Sequence, residues 1–336
     1  MACAESAVIM KTKTLKSKII ACLCFFSTSA WAMPAAAELQ VSFQYMLSDF
    51  SGTIRSQWAQ LGFDQKNKEV YTFNQGGNEV RIFNEQGMEI FTFGEESEMI
   101  SATDIAIGEN GDIYLLPRLN SALSIEILDY RGEHAGTLAI QNIPAQLQGF
   151  SADRLEFRDG IFYLVNSRSS KIITANREGE FLQLHDVGSR LLEIAEEQDP
   201  ERKRNLELEL SSFCVGGQGE MYFTVPVLFA AFKLDRDGEL ESFGRAGSGP
   251  GKFGVVAGIA CDGNGNIYVA DRLRSVVMVF DRNFQFQGEF GYRGGQDDNL
   301  VVPNELAVDE TAGRVFVAQG ANRGVSVYKI NFEQTP

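Results

Sequence analysis

Few residues of this chain are equipped for chemistry, and their spacing narrows what they can do. There are two histidines, His134 and His185, too few for a three-histidine zinc site built from one chain. The stretch from Gly244 to Lys252 imitates a phosphate loop, but Ala246 stands where the first Gly is required and Phe253 follows the Lys. It reads instead as a glycine-rich connector. The run Asp262-Gly-Asn-Gly-Asn266 looks like the start of a calcium loop but lacks the closing Glu. Asp104 and Glu305 are the carboxylates through which a metal-dependent hydrolase or lyase stays open as an alternative, with no metal assigned. Five arginines, Arg118, Arg168, Arg272, Arg274 and Arg323, offer forked guanidinium groups suited to an anionic partner. An equally good reading pairs each of them with a carboxylate nearby.

These residues are positioned by an internal repeat. A short β-rich first segment recurs as Leu61-Gly62-Phe63-Asp64, Ile105-Ala106-Ile107, Leu155-Glu156-Phe157, Phe213-Cys214-Val215, Ile259-Ala260-Cys261 and Leu306-Ala307-Val308-Asp309. A second recurs as Val70-Tyr71, Ile113-Tyr114, Phe162-Tyr163, Met221-Tyr222, Ile267-Tyr268 and Val315-Phe316. The turn before a fourth segment repeats as Asn84-x-x-Gly87, Asp129-x-x-Gly132, Asn176-x-x-Gly179 and Asp235-x-x-Gly238, and Asp281 keeps its first half. Six registers of four short strands predict an all-β, six-bladed β-propeller. Small residues at Gly62, Ala106, Cys214, Ala260 and Ala307 suit innermost strands crowded around an axis.

The arginines then fall in loops joining second and third strands, on one face of the ring. The matching loop of the fourth blade is Val225-Pro226-Val227-Leu228-Phe229. Val227, Leu228 and Phe229 join the predicted partner-binding face, unless they pack beneath the charged, helix-like insertion at about 189–210. Pro200 is expected to split that insertion into two short helices. Cys214 and Cys261 occupy facing registers on neighbouring blades, so a disulfide and two buried free thiols are both compatible with their positions. The sixth unit lacks its fourth strand; Leu39, Val41, Phe43 and Tyr45 alternate in a way that can supply it and close the ring.

The segment Phe243-Gly244-x-x-Gly247-Ser248-Gly249-Pro250-Gly251-x-Phe253, followed by Gly258-Ile259-Ala260-x-Asp262 and Gly265-Asn266-Ile267-Tyr268-Val269-Ala270-Asp271, resembles the NHL repeat. The likeness is specific over 243–291, clear over 292–330 and weaker but in register over 61–184. The Asn and Arg that usually follow the Asp are mostly lost; Asn120 and Asn322 keep the first, and Lys171 approximates the second. The resemblance implies a propeller at 39–336 that binds or scaffolds a protein or small ligand. Peptide-amidating lyases of this type hold zinc with channel histidines, which this chain lacks.

Lys11, Lys13, Lys16 and Lys18 precede an apolar run that ends in Ala30-Trp31-Ala32, the pattern of a cleaved signal peptide over residues 1–32. The basic region suggests a true start at Met10, with cleavage before Met33 or Glu38 and a short mature N-terminus at 33–38. The expectation is an exported protein, periplasmic or extracellular, either a monomer or part of an envelope complex. Removing those residues leaves 26 basic and 44 acidic side chains, a net of −18. Such a body repels polyanions, so nucleic acid is not the expected partner, and no other apolar run approaches membrane-spanning length. No cofactor is expected, and the class expected from sequence is a non-catalytic binder.

Overall fold

A computed structural model describes residues 38–94, 101–118, 123–198 and 206–333. The signal peptide with its start and cleavage sites, Asn120 and Pro200 lie outside the described residues. Six four-stranded antiparallel sheets are arranged as a six-bladed propeller. Blade 1 runs through Gln60–Asp64, Glu69–Asn74, Glu79–Phe83 and Glu89–Phe93. Blade 2 comprises Ala102–Ile107, Ile113–Pro117, Ser124–Leu128 and His134–Ala139, and blade 3 Arg154–Arg158, Ile161–Asn166, Lys171–Asn176 and Phe181–Asp186. Blade 4 holds Phe213–Val215, Met221–Val225, Ala230–Leu234 and Leu240–Phe243. Blade 5 holds Val256–Cys261, Ile267–Asp271, Val276–Phe280 and Phe286–Phe290. The sheet of blade 6 contains Pro303–Asp309, Arg314–Gln319, Gly324–Glu333 and Glu38–Met46, with Leu39 opposite Phe332 and Phe43 opposite Tyr328.

The repeat columns explain why the sheets form and pack. Each small residue of an innermost strand lies opposite an aromatic of the second strand: Gly62 faces Tyr71, Ala106 faces Tyr114, Cys214 faces Tyr222, Ala260 faces Tyr268 and Ala307 faces Phe316. All six second-strand rings, Tyr163 included, are buried. Blade 3 breaks the column, because Glu156 takes the small residue's place opposite Tyr163. The repeated turns work as their residue types require. Asn84 Oδ1 accepts from Gln86 N and Met88 N at 3.0 Å each, and Asp235 Oδ1 from Asp237 N and Glu239 N at 3.0 and 2.8 Å. Gly87 and Gly238 close these turns at φ of 77° and 84°; in blade 5 the left-handed position is held by Phe284, whose ring stacks on Phe243 at 4.6 Å.

Blades meet where the innermost strands converge. A Cβ on Gly258 would lie 2.5 Å from Asn304 O and 3.0 Å from Glu305 Cα of blade 6, so backbone itself fills the space. The Gly258→Ala variant is therefore expected to lose about 1–3 kcal/mol of stability through overpacking. Urea denaturation checks this; an unchanged midpoint would contradict so close an approach.

One helix, Gly188–Gln198, follows blade 3 in the chain. Leu191 and Ala195 are buried with Val225 and Leu228 in one apolar cluster. Residues 199–205, where the expected second helix begins, lie outside the described residues, and 206–210 are not helical. Residues 206–210 run extended, with Leu206, Leu208 and Leu210 packed against that cluster and Glu207 and Glu209 exposed between them. Alternation with period two is a pattern an extended chain satisfies and a helix does not. Leu210 N donates to Ser167 O at 3.0 Å, and Ser170 Oγ donates to Leu208 O, tying the segment to blade 3.

Candidate functional site

The residue two places before each small position points to the neck of the central channel. Read around the ring these are Gln60, Asp104, Arg154, Ser212, Gly258 and Glu305, five of them polar. Register shifts occur just there, between Ala102 and Asp104, Val256 and Ile259, and Pro303 and Glu305. An extra residue at such a point re-aims the side chains beside it.

Arg154 of blade 3 spans the neck. Its Nη1 donates to Glu305 Oε2 of blade 6 at 3.0 Å and to Gln60 Oε1 of blade 1 at 2.7 Å; its Nη2 donates to Ser211 O at 2.8 Å. Ser212 Oγ donates to Glu305 Oε1 at 3.0 Å and accepts from Ile259 N at 3.2 Å. Asp104 Oδ2 accepts from Leu155 N at 2.8 Å. Four residues downstream on the same strand, Arg158 repeats the crossing: it meets Glu310 of blade 6 at 3.0 Å and Val215 O at 3.1 Å. Alternation along Arg154-Leu-Glu-Phe-Arg158 puts both guanidinium groups and Glu156 on one face of the strand.

This knot separates two cavities that share Gln60 and Arg154. The lower one, about 350 Å³, is lined by Asp104, Glu156, Arg158, Cys214, Cys261 and Glu310 among others. The upper one, about 590 Å³, opens at the face of the second-to-third-strand loops and is lined by Gln75, Asp153, Glu207, Glu209, Val227 and Arg272 among others. Burial pushes the Glu156 carboxyl up to about 8 and the Asp104 carboxyl up to about 7; Arg154 opposes the shift of Asp104 without cancelling it. Glu156 is thus an acid that keeps its proton near neutrality while facing a cavity, a state suited to proton donation.

The five predicted arginines do not act as one set. Arg274 pairs with Glu289 of the outer strand at 2.7 Å and donates to Lys252 O at 3.1 Å, away from the channel. Arg323 donates to Gln296 O in the connector before blade 6. Arg118 Nε donates to Ser101 Oγ at 3.3 Å, and Arg168 is exposed with no hydrogen bond or ion pair among the described residues. Arg272 alone lines the upper cavity. Its Nη2 donates to Asn304 Oδ1, its guanidinium carbon lies 5.4 Å from the Trp58 ring centre, and its buried Nε has no partner. Burial lowers its pKa, opposed by the charge of Glu305 and helped by that of Arg154, and no carboxylate pairs with it among the described residues.

The apolar loop also divides. Leu228 is buried beneath the helix, Phe229 ends a 3-10 turn in the left-handed region at φ 53°, and Val227, with Pro226 before it, reaches the cavity. Leu228 therefore cannot form part of an exposed docking face. Cys214 and Cys261 are both buried free thiols. Among the described residues, no three His, Cys, Asp or Glu side chains gather as a set able to hold a metal. The sequence reading missed Arg154, Glu156, Arg158 and Trp58. The first three had a legible signal, since Glu156 interrupts the column of small residues and its neighbours two places away are both arginine.

No protein-family model matches the chain. One curated relative, Protein brain tumor of Drosophila melanogaster, is 32% identical over 77 residues, which is 23% of this chain and 7% of that protein. The chain thus spans a small fraction of that relative's length. A Bacteroides thetaiotaomicron protein of unknown function superposes with a TM-score of 0.61 at 13% identity, covering 87% of this chain and 76% of that one. A gluconolactonase from Xanthomonas campestris superposes with a TM-score of 0.57 at 14% identity, covering 88% and 92%. At these identities the likeness is one of fold, the six-bladed propeller.

The raised carboxyl of Glu156 makes a test of stability against pH. Its ordinary value is near 4.5, so its contribution is fully present below that pH and is lost as pH rises toward and through about 8. Asp104 acts with the same sign. Glu156→Gln, which cannot ionise, is expected to remove ~2 kcal/mol of the stability lost between pH 5 and 8. Denaturant titrations at both pH values check it; parallel losses in variant and wild type would contradict a protonated Glu156.

Proposed function

We propose that this chain is a non-catalytic binding propeller that takes a small carboxylate-bearing zwitterion, an amino acid or short peptide, in its upper cavity. The observation that carries this reading is Arg272. A guanidinium at a cavity rim, with a buried Nε lacking a partner and no carboxylate paired to it among the described residues, is suited to a ligand carboxylate. The Trp58 ring lies against that guanidinium and helps hold it in place. Glu207 and Glu209 line the same cavity and can receive the ligand's ammonium group. The helix and the extended segment after it form the cap on this side, so the insertion belongs to the binding site. The ligand is thereby anionic at one end only, in keeping with an acidic body.

Calorimetry with a panel of amino acids, dipeptides and dicarboxylates tests the proposal. Arg272→Met is expected to weaken the best ligand tenfold or more, about 1.4 kcal/mol, while Arg168→Met leaves it unchanged. Failure of the whole panel to bind, or equal binding by Arg272→Met, would reject it.

A second reading, a hydrolase or lyase of the channel, draws on Glu156 as a proton donor in the lower cavity. It predicts turnover of a lactone or ester panel that Glu156→Gln abolishes. The metal-dependent form of that reading has no ligand set among the described residues.

We further infer that the strand Glu38–Met46 closes the ring. Its support is the pairing with Gly324–Glu333 and the packing of Leu39, Val41 and Phe43 against the cluster between blades 5 and 6. Deleting residues 39–47 exposes the edge of Gly324–Glu333 and is expected to lower the melting temperature by about 10 °C or more. An unchanged melting curve would refute closure by this strand. Export to the periplasm or exterior, with Glu38 or Met33 as the mature N-terminus, completes the proposal; its support is the basic and apolar pattern of residues 11–32.

A further inference from the structure

We propose that Cys214 and Cys261 form a reversible redox pair, a disulfide that staples blade 4 to blade 5 at the wall of the lower cavity. This is independent of the ligand assigned to the upper cavity.

Three observations carry it. First, the two thiols face each other across the blade boundary: both belong to one buried cluster, and their strands, Phe213–Val215 and Val256–Cys261, lie side by side. Cys214 stands in the column of small residues, which points toward the next blade, as Gly62 does toward Ile107. Cys261 stands in the column that points back, held elsewhere by Phe63, Ile107, Phe157, Val215 and Val308. Elsewhere a residue of that mostly large column fills the space opposite. Only this boundary replaces both members with cysteine, one larger and one smaller than its column. Second, both residues line the lower cavity, so a small oxidant has a route to them although each is buried. Third, they sit on innermost strands of different blades, where a covalent bond joins elements otherwise held by packing and by hydrogen bonds such as that of Ile259 N to Ser212 Oγ.

The reaction is thiol–disulfide exchange with a low-molecular-weight disulfide such as oxidised glutathione. The sulfur of one cysteine, giving up its proton, attacks a sulfur of the small disulfide and releases one small thiol. The second cysteine then attacks the mixed disulfide at the protein sulfur and releases the other. Two protein thiols are oxidised, one small disulfide is reduced, and two small thiols carry away the protons. Burial raises the pKa of Cys214, so few thiolates are present and exchange will be slow at neutral pH.

The experiment compares the full chain after dithiothreitol with the same chain after oxidised glutathione, and after the smaller oxidant diamide. Each sample is denatured with an alkylating agent present, then digested for mass spectrometry. The expected product is a peptide containing Cys214 linked to one containing Cys261, two hydrogens lighter than the reduced pair, and restored by dithiothreitol. The oxidised protein should melt a few degrees higher, as a cross-link between distant residues requires. That shift should vanish in Cys214→Ala, whose fold is checked by circular dichroism, because alanine already occupies this column in blades 2, 5 and 6. Full alkylation of both residues after both oxidants would overturn the proposal. So would a stable mixed disulfide at either residue, or a cross-link to another molecule.

Discussion

The guanidinium of Arg154 is the interaction around which the channel is organised. It leaves an innermost strand of blade 3, crosses the axis, and binds side chains of blades 1 and 6 together with a backbone carbonyl beside blade 4. A charge in so enclosed a place is tolerable only when its donors are spent on good acceptors. Gln60, Glu305 and Ser211 O supply them, and Ser212 holds the second oxygen of Glu305. The ring of six blades is what brings these four segments, far apart in the chain, to one point. Conversely, the crossing ties opposite sides of the ring where packing alone would leave a pore.

What the knot excludes shapes what lies on either side. Above it, Arg272 is left near Arg154 but with Glu305 already engaged, so the upper cavity keeps a cation that pairs with no carboxylate among the described residues. Below it, Arg158 is committed to Glu310, and Glu156 between the two arginines is left protonated by burial. One strand of alternating residues thus sets the electrostatics of both cavities. The same alternation at residues 206–210 turns leucines to the core and glutamates to the upper cavity.

Much of the fold was legible because propeller blades repeat. The small-residue column, the paired Tyr or Phe, and the Asn/Asp-x-x-Gly turns each answer a local steric need, and local needs leave periodic marks. The site was less legible, for a physical reason. Arg272 and Arg274 are two residues apart in one loop, yet one lines a cavity and the other pairs with an outer strand, because side-chain direction there depends on the neighbouring blade. Leu228 could be read as an exposed tip or as packed beneath the insertion, because the helix that covers it is distant in sequence. Arg154 and Glu156 could have been found, since they are the points where a regular column turns irregular. Reading repeats for their exceptions is the more productive rule here.

The central claim is that Arg154 and Glu305 act as one unit across the channel. A double-mutant cycle with Arg154→Met, Glu305→Gln and the double variant, followed by denaturant unfolding at pH 7, measures it directly. Each single change strands a buried charge or removes a needed acceptor and is expected to cost about 3 kcal/mol or more. The double variant should cost much less than their sum, giving a coupling of about 2 kcal/mol or more. Additive losses would show that the crossing is incidental, and the division of the channel into two cavities would need another cause.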